Sequence, residues 1–241
     1  MKISIVVPAF NEERLISGCL EAIDTALNAH AAHGFEAEVI VVDNNSTDST
    51  AELARKAGAQ VCFEPVNRIG RARNAGAEQA SGEWLIFVDA DSWLNPALLA
   101  DIYRLIESGT AVGCGSRMRM DDLPWWGRLL MATWTAISIL CRWASGALFV
   151  CRADAFREVG GFSENLYASE EIDLSRRLKK WGRERGLKFF ILRAHPLHTS
   201  SRKLKLYSGA EIARQFFWLC VRPGRALKDR KYLSMWYDGR R

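Results

Sequence analysis

The feature that most constrains this chain is an alternation. Short, continuous Val/Ile-rich runs recur between helix-patterned stretches, and most of the runs end in polar clusters. Strands are expected at Ile3–Val7, Val39–Val42, Gln60–Phe63 and Trp84–Val88, with helices near 12–32, 48–57 and 70–80. Asn11 and Ser46 are residue types that cap helix starts, and they are expected to open the first two helices. Continuous apolar strands separated by helices predict an α/β fold, with a mostly parallel central sheet covered by helices on both faces. In such sheets ligands bind outside the carboxyl ends of the strands. Three of the four runs deliver polar residues to that edge, in "PAFNEE", "DNNSTDST" and "DADS".

Composition limits the partners. With 241 residues, 49% of them hydrophobic, the chain can bury a sizeable core and is not globally disordered. The six cysteines are scattered, without a C-x-x-C pair or metal-finger spacing, which predicts reduced thiols and a cytoplasmic protein. The opening "MKISIVVPAFNEE" is interrupted too soon to be a signal peptide. The net charge of +5 is uneven: residues 202–241 hold eleven Lys/Arg against three Asp/Glu, together with seven aromatic rings. Basic residues mixed with aromatics suit an anionic membrane surface or a nucleic acid, or else form a solvated basic face over packed rings. No nucleic-acid partner is expected. In "WWGRLLMATWTAISILCRW" the uncharged core, Leu129 to Cys141, is thirteen residues long. That is short of the ~20 residues that cross a bilayer, and fits a buried or interfacial helix.

The stretch "WLIFVDADSW" places Asp89 and Asp91 two residues apart at a strand end, on one side of an extended chain. Like charges held that close call for a cation between them. Mg²⁺ or Mn²⁺, bound by one or two carboxylates and completed by substrate phosphates, answers that need. The structural alternative is that the two aspartates cap the helix that starts near Pro96. Beyond residue 110, "VGCGSRMRM", "GALFVCR" and "FFILR" read as strands and "EEIDLSRRLKKW" as an amphipathic helix with an acidic first turn. His195 and His198 follow the last of these strands.

Five motifs occur in order: "SIVVPAFNEE", "VIVVDNNSTDST", "NRIGRARNAGAEQASGEWLIFVDADS", "SGALFVCRADAFREVGGF" and "SEEIDLSRRL". Over roughly residues 3 to 182 the chain resembles the family 2 glycosyltransferases of the GT-A fold. The resemblance implies one GT-A domain over 1–201, with a Rossmann-like nucleotide-sugar half at about 1–110 and an acceptor half at about 111–201. A basic, aromatic helix and tail would follow over 202–241. It implies inverting transfer of a sugar from a nucleotide-sugar donor, a UDP- or GDP-sugar, to an acceptor hydroxyl. Pro8, Phe10 and Glu12 would line the nucleotide pocket, and Asp43 would contact the base or ribose. Asn44 stands where the family often has a second Asp. Arg71 and Asn74 would flank the base and diphosphate, where a basic group offsets phosphate charge. Asp89 and Asp91 would hold the metal, Asp91 the more direct ligand, with His195 or His198 as a further candidate. Gly146 would let substrate approach the backbone closely.

The catalytic base in this family is the Asp of a Glu-Asp pair, and Glu171 stands in its place. A glutamate can accept the same proton. Its extra methylene leaves Glu170 and Asp173 as alternatives. Two rival readings remain: a sugar-phosphate nucleotidyltransferase, and a non-catalytic relative associated with a membrane. The first would need a Gly-rich basic loop after the first strand, and "PAFNEERLI" has neither glycine nor lysine. A membrane-proximal or lipid-linked acceptor would place the protein peripherally on the inner face of the cell membrane.

Overall fold

A computed structural model describes residues 1–202 together with Leu206, Glu211 and Leu227. The expected basic helix and tail at 202–241 therefore lie almost wholly outside the described residues. Eight strands form one sheet in the order β3-β2-β1-β4-β7-β6-β8-β5. They are β1 (Lys2–Ala9), β2 (Glu36–Asp43), β3 (Gln60–Phe63), β4 (Trp84–Val88), β5 (Ser92–Trp93), β6 (Ala111–Arg119), β7 (Leu148–Arg152) and β8 (Lys188–Thr199). The helices are α1 (Ile16–Asn28), α2 (Thr50–Lys56), α3 (Ile69–Gln79), α4 (Pro96–Glu107), α5 (Trp125–Cys141), α6 (Ala153–Glu158) and α7 (Glu170–Arg183). The first four strands of the chain to pair, β3, β2, β1 and β4, run parallel. β7 is antiparallel to both β4 and β6, and β8 pairs parallel with β6.

Strand periodicity divides the core. On β1, Ile3, Ile5 and Val7 point into one cluster with α1 and α4, while Val6 points into the other with α3, α6 and α7. Both faces are thus covered, as the continuous apolar runs require. In the second cluster Phe87, Phe149, Phe156 and Phe162 pack as an aromatic group, Phe87 and Phe162 meeting edge to face at 5.0 Å. Such pairs contribute about 0.5–1.5 kcal/mol beyond area burial. Phe162 reaches the group through a turn at Gly161, whose φ of +64° disfavours any side chain.

Three local expectations need correction. Neither Asn11 nor Ser46 caps a helix: α1 starts after Leu15 and α2 after Ser49, both without a side-chain cap bond. Asn11 is left-handed (φ 52°) and its Oδ1 accepts from Thr47 N at 2.8 Å, while Ser46 Oγ accepts from Asn11 N at 3.0 Å. These groups staple the first two loops to each other instead. The cap that does form is Asn95, whose side chain accepts from Leu98 N ahead of α4, with Pro96 in the first turn. Finally, His195 and His198 lie inside the last strand, because β8 runs on to Thr199. A register shift opposite Ser116 and Met118 takes up the irregularity around Pro196.

Candidate active site

All the strand ends that matter open on one edge. The carboxyl ends of β1, β2 and β4 lie there by parallel pairing. Antiparallel β7 brings its start to the same place, with Val88 opposite Leu148. Asp89 and Asp91 leave β4 at this edge, and the Asp89 N–H donates to Ala147 O at 3.2 Å. The Asp91 carbonyl accepts from Ser200 N at 3.0 Å, which ties the loop to the end of β8. The Cys19 thiol donates to Asp89 O at 3.7 Å; burial first, then the charges of Asp91 and Asp89, keep it protonated.

At the centre of the edge stands Arg73, only 1% exposed. Its Nη2 donates to Asp89 Oδ1 at 2.9 Å and to the Gly146 carbonyl at 2.8 Å, and its Nη1 donates to Glu170 Oε1 at 2.8 Å. Its guanidinium lies 5.2 Å from the Phe162 ring centroid. Burial opposes its charge, but Asp89, Glu170 and Glu171 outweigh that and hold it firmly charged. Sequence reading assigns Arg73 no role at the site. The overlooked signal is its phase: Arg73, Gly76, Ala77 and Ala80 recur at steps of three and four, so the arginine shares the small-residue face that packs on the sheet.

The three candidate bases differ in what engages them. Glu170 is held by Arg73. Asp173 is partly exposed and paired with Arg177 at 2.7 Å. Glu171 Oε2 is shielded from solvent and accepts no hydrogen bond among the described residues. Burial first, then Glu170 and Asp89, push the Glu171 carboxyl well above the ordinary carboxylate range, with Arg73 pulling the other way. Gly146 fits closely against this group: a methyl there would stand 3.0 Å from Arg73 Nη2 and 3.1 Å from Glu171 Oε1. Because folding raises this carboxyl's pKa from about 4.5, the folded state holds the proton longer than the unfolded chain. Its stabilising contribution is therefore fully present below about pH 4.5 and lost as pH rises. Glu171→Gln, which stays neutral, is expected to gain stability over the native protein as pH rises from 4.5 to neutral. Thermal melts at both pH values check this, and a pH-independent difference would contradict it.

The other anticipated residues are engaged as follows. Pro8 lies on β1 opposite Val42, with Phe10 just beyond the strand. Glu12 is buried, and both its carboxylate oxygens accept from Arg202 Nη2, at 2.8 and 2.7 Å. Asp43 ends β2 and accepts from Ser46 N at 3.0 Å. Asn44 donates to the carbonyls of Glu64 (3.1 Å) and Val66 (2.7 Å), which an aspartate could not do. Its departure from the family pattern therefore braces a loop. Arg71 is held by Glu64 and Glu164. Asn74 clasps the backbone of Phe162, donating to its carbonyl at 3.0 Å and accepting from its N–H at 2.9 Å. His195 pairs with Asp101 at 2.8 Å and His198 with Asp121 at 2.7 Å, so each histidine has its own carboxylate partner.

Among the described residues no three His, Cys, Asp or Glu side chains are gathered to enclose an ion. Asp89 and Asp91 alone give two hard oxygen donors at the strand end. That donor set suits Mg²⁺ or Mn²⁺ completed by substrate phosphates, rather than a closed protein cage.

A doubly covered sheet with paired carboxylates at its carboxyl edge is an α/β architecture with its ligand site at the strand ends. The chain belongs to glycosyl transferase family 2, whose family model matches residues 4–158. An uncharacterised glycosyltransferase of Mycobacterium tuberculosis is 32% identical over 123 residues, 51% of this chain and 52% of the relative. A dolichol-phosphate mannosyltransferase of Pyrococcus furiosus is 27% identical over 139 residues, 54% of this chain and 38% of that protein. The chain thus spans about half the length, or less, of these curated relatives. In fold it is similar to a mannosyltransferase from Pyrobaculum calidifontis solved with GDP-Man and Mn²⁺, with a TM-score of 0.66 and 21% identity. That likeness covers 88% of this chain and 59% of the other. The family match ends before α7, so Glu170 and Glu171 are read from the motif and the geometry.

Proposed function

We propose that the protein transfers a sugar, with inversion, from a UDP- or GDP-sugar to an acceptor hydroxyl carried at a membrane surface on the cytoplasmic side. The observation that carries this reading is the Glu171 carboxyl, whose Oε2 is shielded from solvent and accepts no hydrogen bond among the described residues, beside the Arg73 that also holds Asp89 of the β4 edge. Asp91 and Asp89 would hold Mg²⁺ or Mn²⁺, which supplies positive charge to the departing diphosphate when bound. Glu171 takes the acceptor's proton as the hydroxyl oxygen attacks the anomeric carbon. The bond from that carbon to the diphosphate oxygen breaks on the opposite face. Arg73 keeps Glu170 and Asp89 apart and fixed, so the proton acceptor does not drift relative to the donor. Pro8, Phe10, Glu12 and Asp43 lie along the β1 and β2 ends where the nucleoside would rest, and Gly146 leaves room beside the base. The mannosyltransferase of similar fold, solved with GDP-Man and Mn²⁺, supports the donor class and the metal.

Donor binding is expected to require the cation, because Asp89, Asp91 and the diphosphate are all negative. Calorimetry with UDP- and GDP-sugars should show binding with Mn²⁺ that disappears in EDTA and in Asp91→Ala. Unchanged affinity in EDTA would remove the metal from the mechanism.

A further inference from the structure

α5 turns most of its length to solvent: only Gly127 and Ser138 are buried. Trp125 is 77% exposed, Leu129 64% and Leu140 85%. With the exposed Ala136 they follow steps of four, seven and four, which is one stripe of a helix. Arg128 is the helix's only charge. Exposed apolar patches of this kind mark an interaction surface, and no helix among the described residues is long and apolar enough to cross a membrane.

What such a stripe meets is indicated at its carboxyl end. Lys179 Nζ donates to Cys141 O at 2.6 Å, joining α7 to the last residue of α5. Arg176, Lys179 and Arg183 share one face of α7, and Arg142 follows α5 directly. Arg142, Arg176 and Arg183 are exposed and make no ion pair among the described residues. Burial first, then Arg142, Arg176 and Arg183, hold the Lys179 ammonium below its ordinary value, so the four cations feel one another's field. Apolar residues beside an unneutralised cation cluster complement a surface that is apolar below and anionic at its rim.

We propose that α5 lies flat in the headgroup layer of an anionic lipid bilayer, its Trp125–Leu140 stripe inserted and the Arg142, Arg176, Lys179 and Arg183 cluster on lipid phosphates. The use of this surface rests on the transfer reading: α7 carries Glu171 at one end and the cations along the rest. Its rise sets Glu171 roughly 8–18 Å from them along the axis. The acceptor hydroxyl is then one borne on a lipid headgroup, clear of the acyl region.

Co-sedimentation of the full chain, without donor, tests the surface. It uses vesicles of phosphatidylcholine alone and of phosphatidylcholine with phosphatidylglycerol. Binding is expected to the anionic vesicles only. Leu129→Ser with Leu140→Ser should abolish it. Replacing Arg142, Arg176 and Arg183 by Gln should weaken it by on the order of a hundredfold, at the strength usual for cations near anionic lipid. The proposal is overturned if neither vesicle binds, or if both variants bind as the native chain does. A dimer that Leu129→Ser with Leu140→Ser dissolves in sedimentation velocity would also overturn it, since a second copy would then cover the stripe. Donor calorimetry on the same proteins, without vesicles, separates this outcome from failure of the transfer reading.

Discussion

Glu171→Gln is expected to bind donor as the native protein does and to transfer sugar about 10²–10⁴-fold more slowly, the span typical of losing a positioned base. The amide keeps the volume and leaves Gly146 and Arg73 undisturbed, but has no basic oxygen to take the proton. Donor affinity by calorimetry and turnover by released nucleotide diphosphate separate the two effects. In the native enzyme the acid limb of the rate profile should lie above the ordinary carboxylate range, because burial and the neighbouring Glu170 raise this carboxyl. Normal turnover in Glu171→Gln, with a dead Asp173→Asn, would move the base two residues along α7.

Arg73→Met should be the most destabilising single change at the site. It leaves Glu170, 3% exposed, without its cation and strips Asp89 and the Gly146 carbonyl of a donor. Breaking a buried pair from one side costs about 3–5 kcal/mol, or a melting point lower by on the order of ten degrees for a domain of this size. Lysine should not rescue it, since one ammonium cannot reproduce the fork. The decisive measurement is the double variant with Glu170→Gln. If the ion pair is the cause, removing the stranded charge recovers part of the loss, and the two costs fail to add. Strict additivity would mean that Arg73 acts by packing on Phe162 alone.

These residues also show where sequence reading succeeds and stops. β4 was legible to the residue because a fully buried strand writes its burial as an unbroken apolar run, and β3 matched its expected bounds although both of its ends are exposed. The Asp89–Asp91 pair was legible because it follows such a run directly. The strand β8 was cut short: Pro196 and the two histidines look like a loop, and the strand continues past them because Leu197 to Thr199 pair with β6 and β5. Arg73 was missed for a related reason. Its partners lie 16, 73 and 97 residues away, so no local window contains the cause of its burial. The tie between Glu12 and Arg202, 190 residues apart, was hidden in the same way. Asn44 was read only as a departure from the family's second Asp, whereas its amide is needed by two carbonyls of the following loop.

The reversed strand β7 has a consequence for how such a protein can diversify. Since β6 runs toward the catalytic edge and β7 runs away from it, residues 120–147 leave the sheet and return to it at one rim. The excursion is pinned at its return by Asp89 on Ala147 and Arg73 on Gly146, is tied further out by His198 on Asp121, Lys179 on Cys141 and Ala144 on Ser175, and contributes no strand pair. It behaves as an exchangeable cassette. Lengthening, shortening or replacing it changes what is presented to the reacting edge without renumbering a single pair in β1, β2 or β4. On the proposed reading, acceptor preference and membrane contact would change in this loop while the frame of β1, β2 and β4 stays fixed.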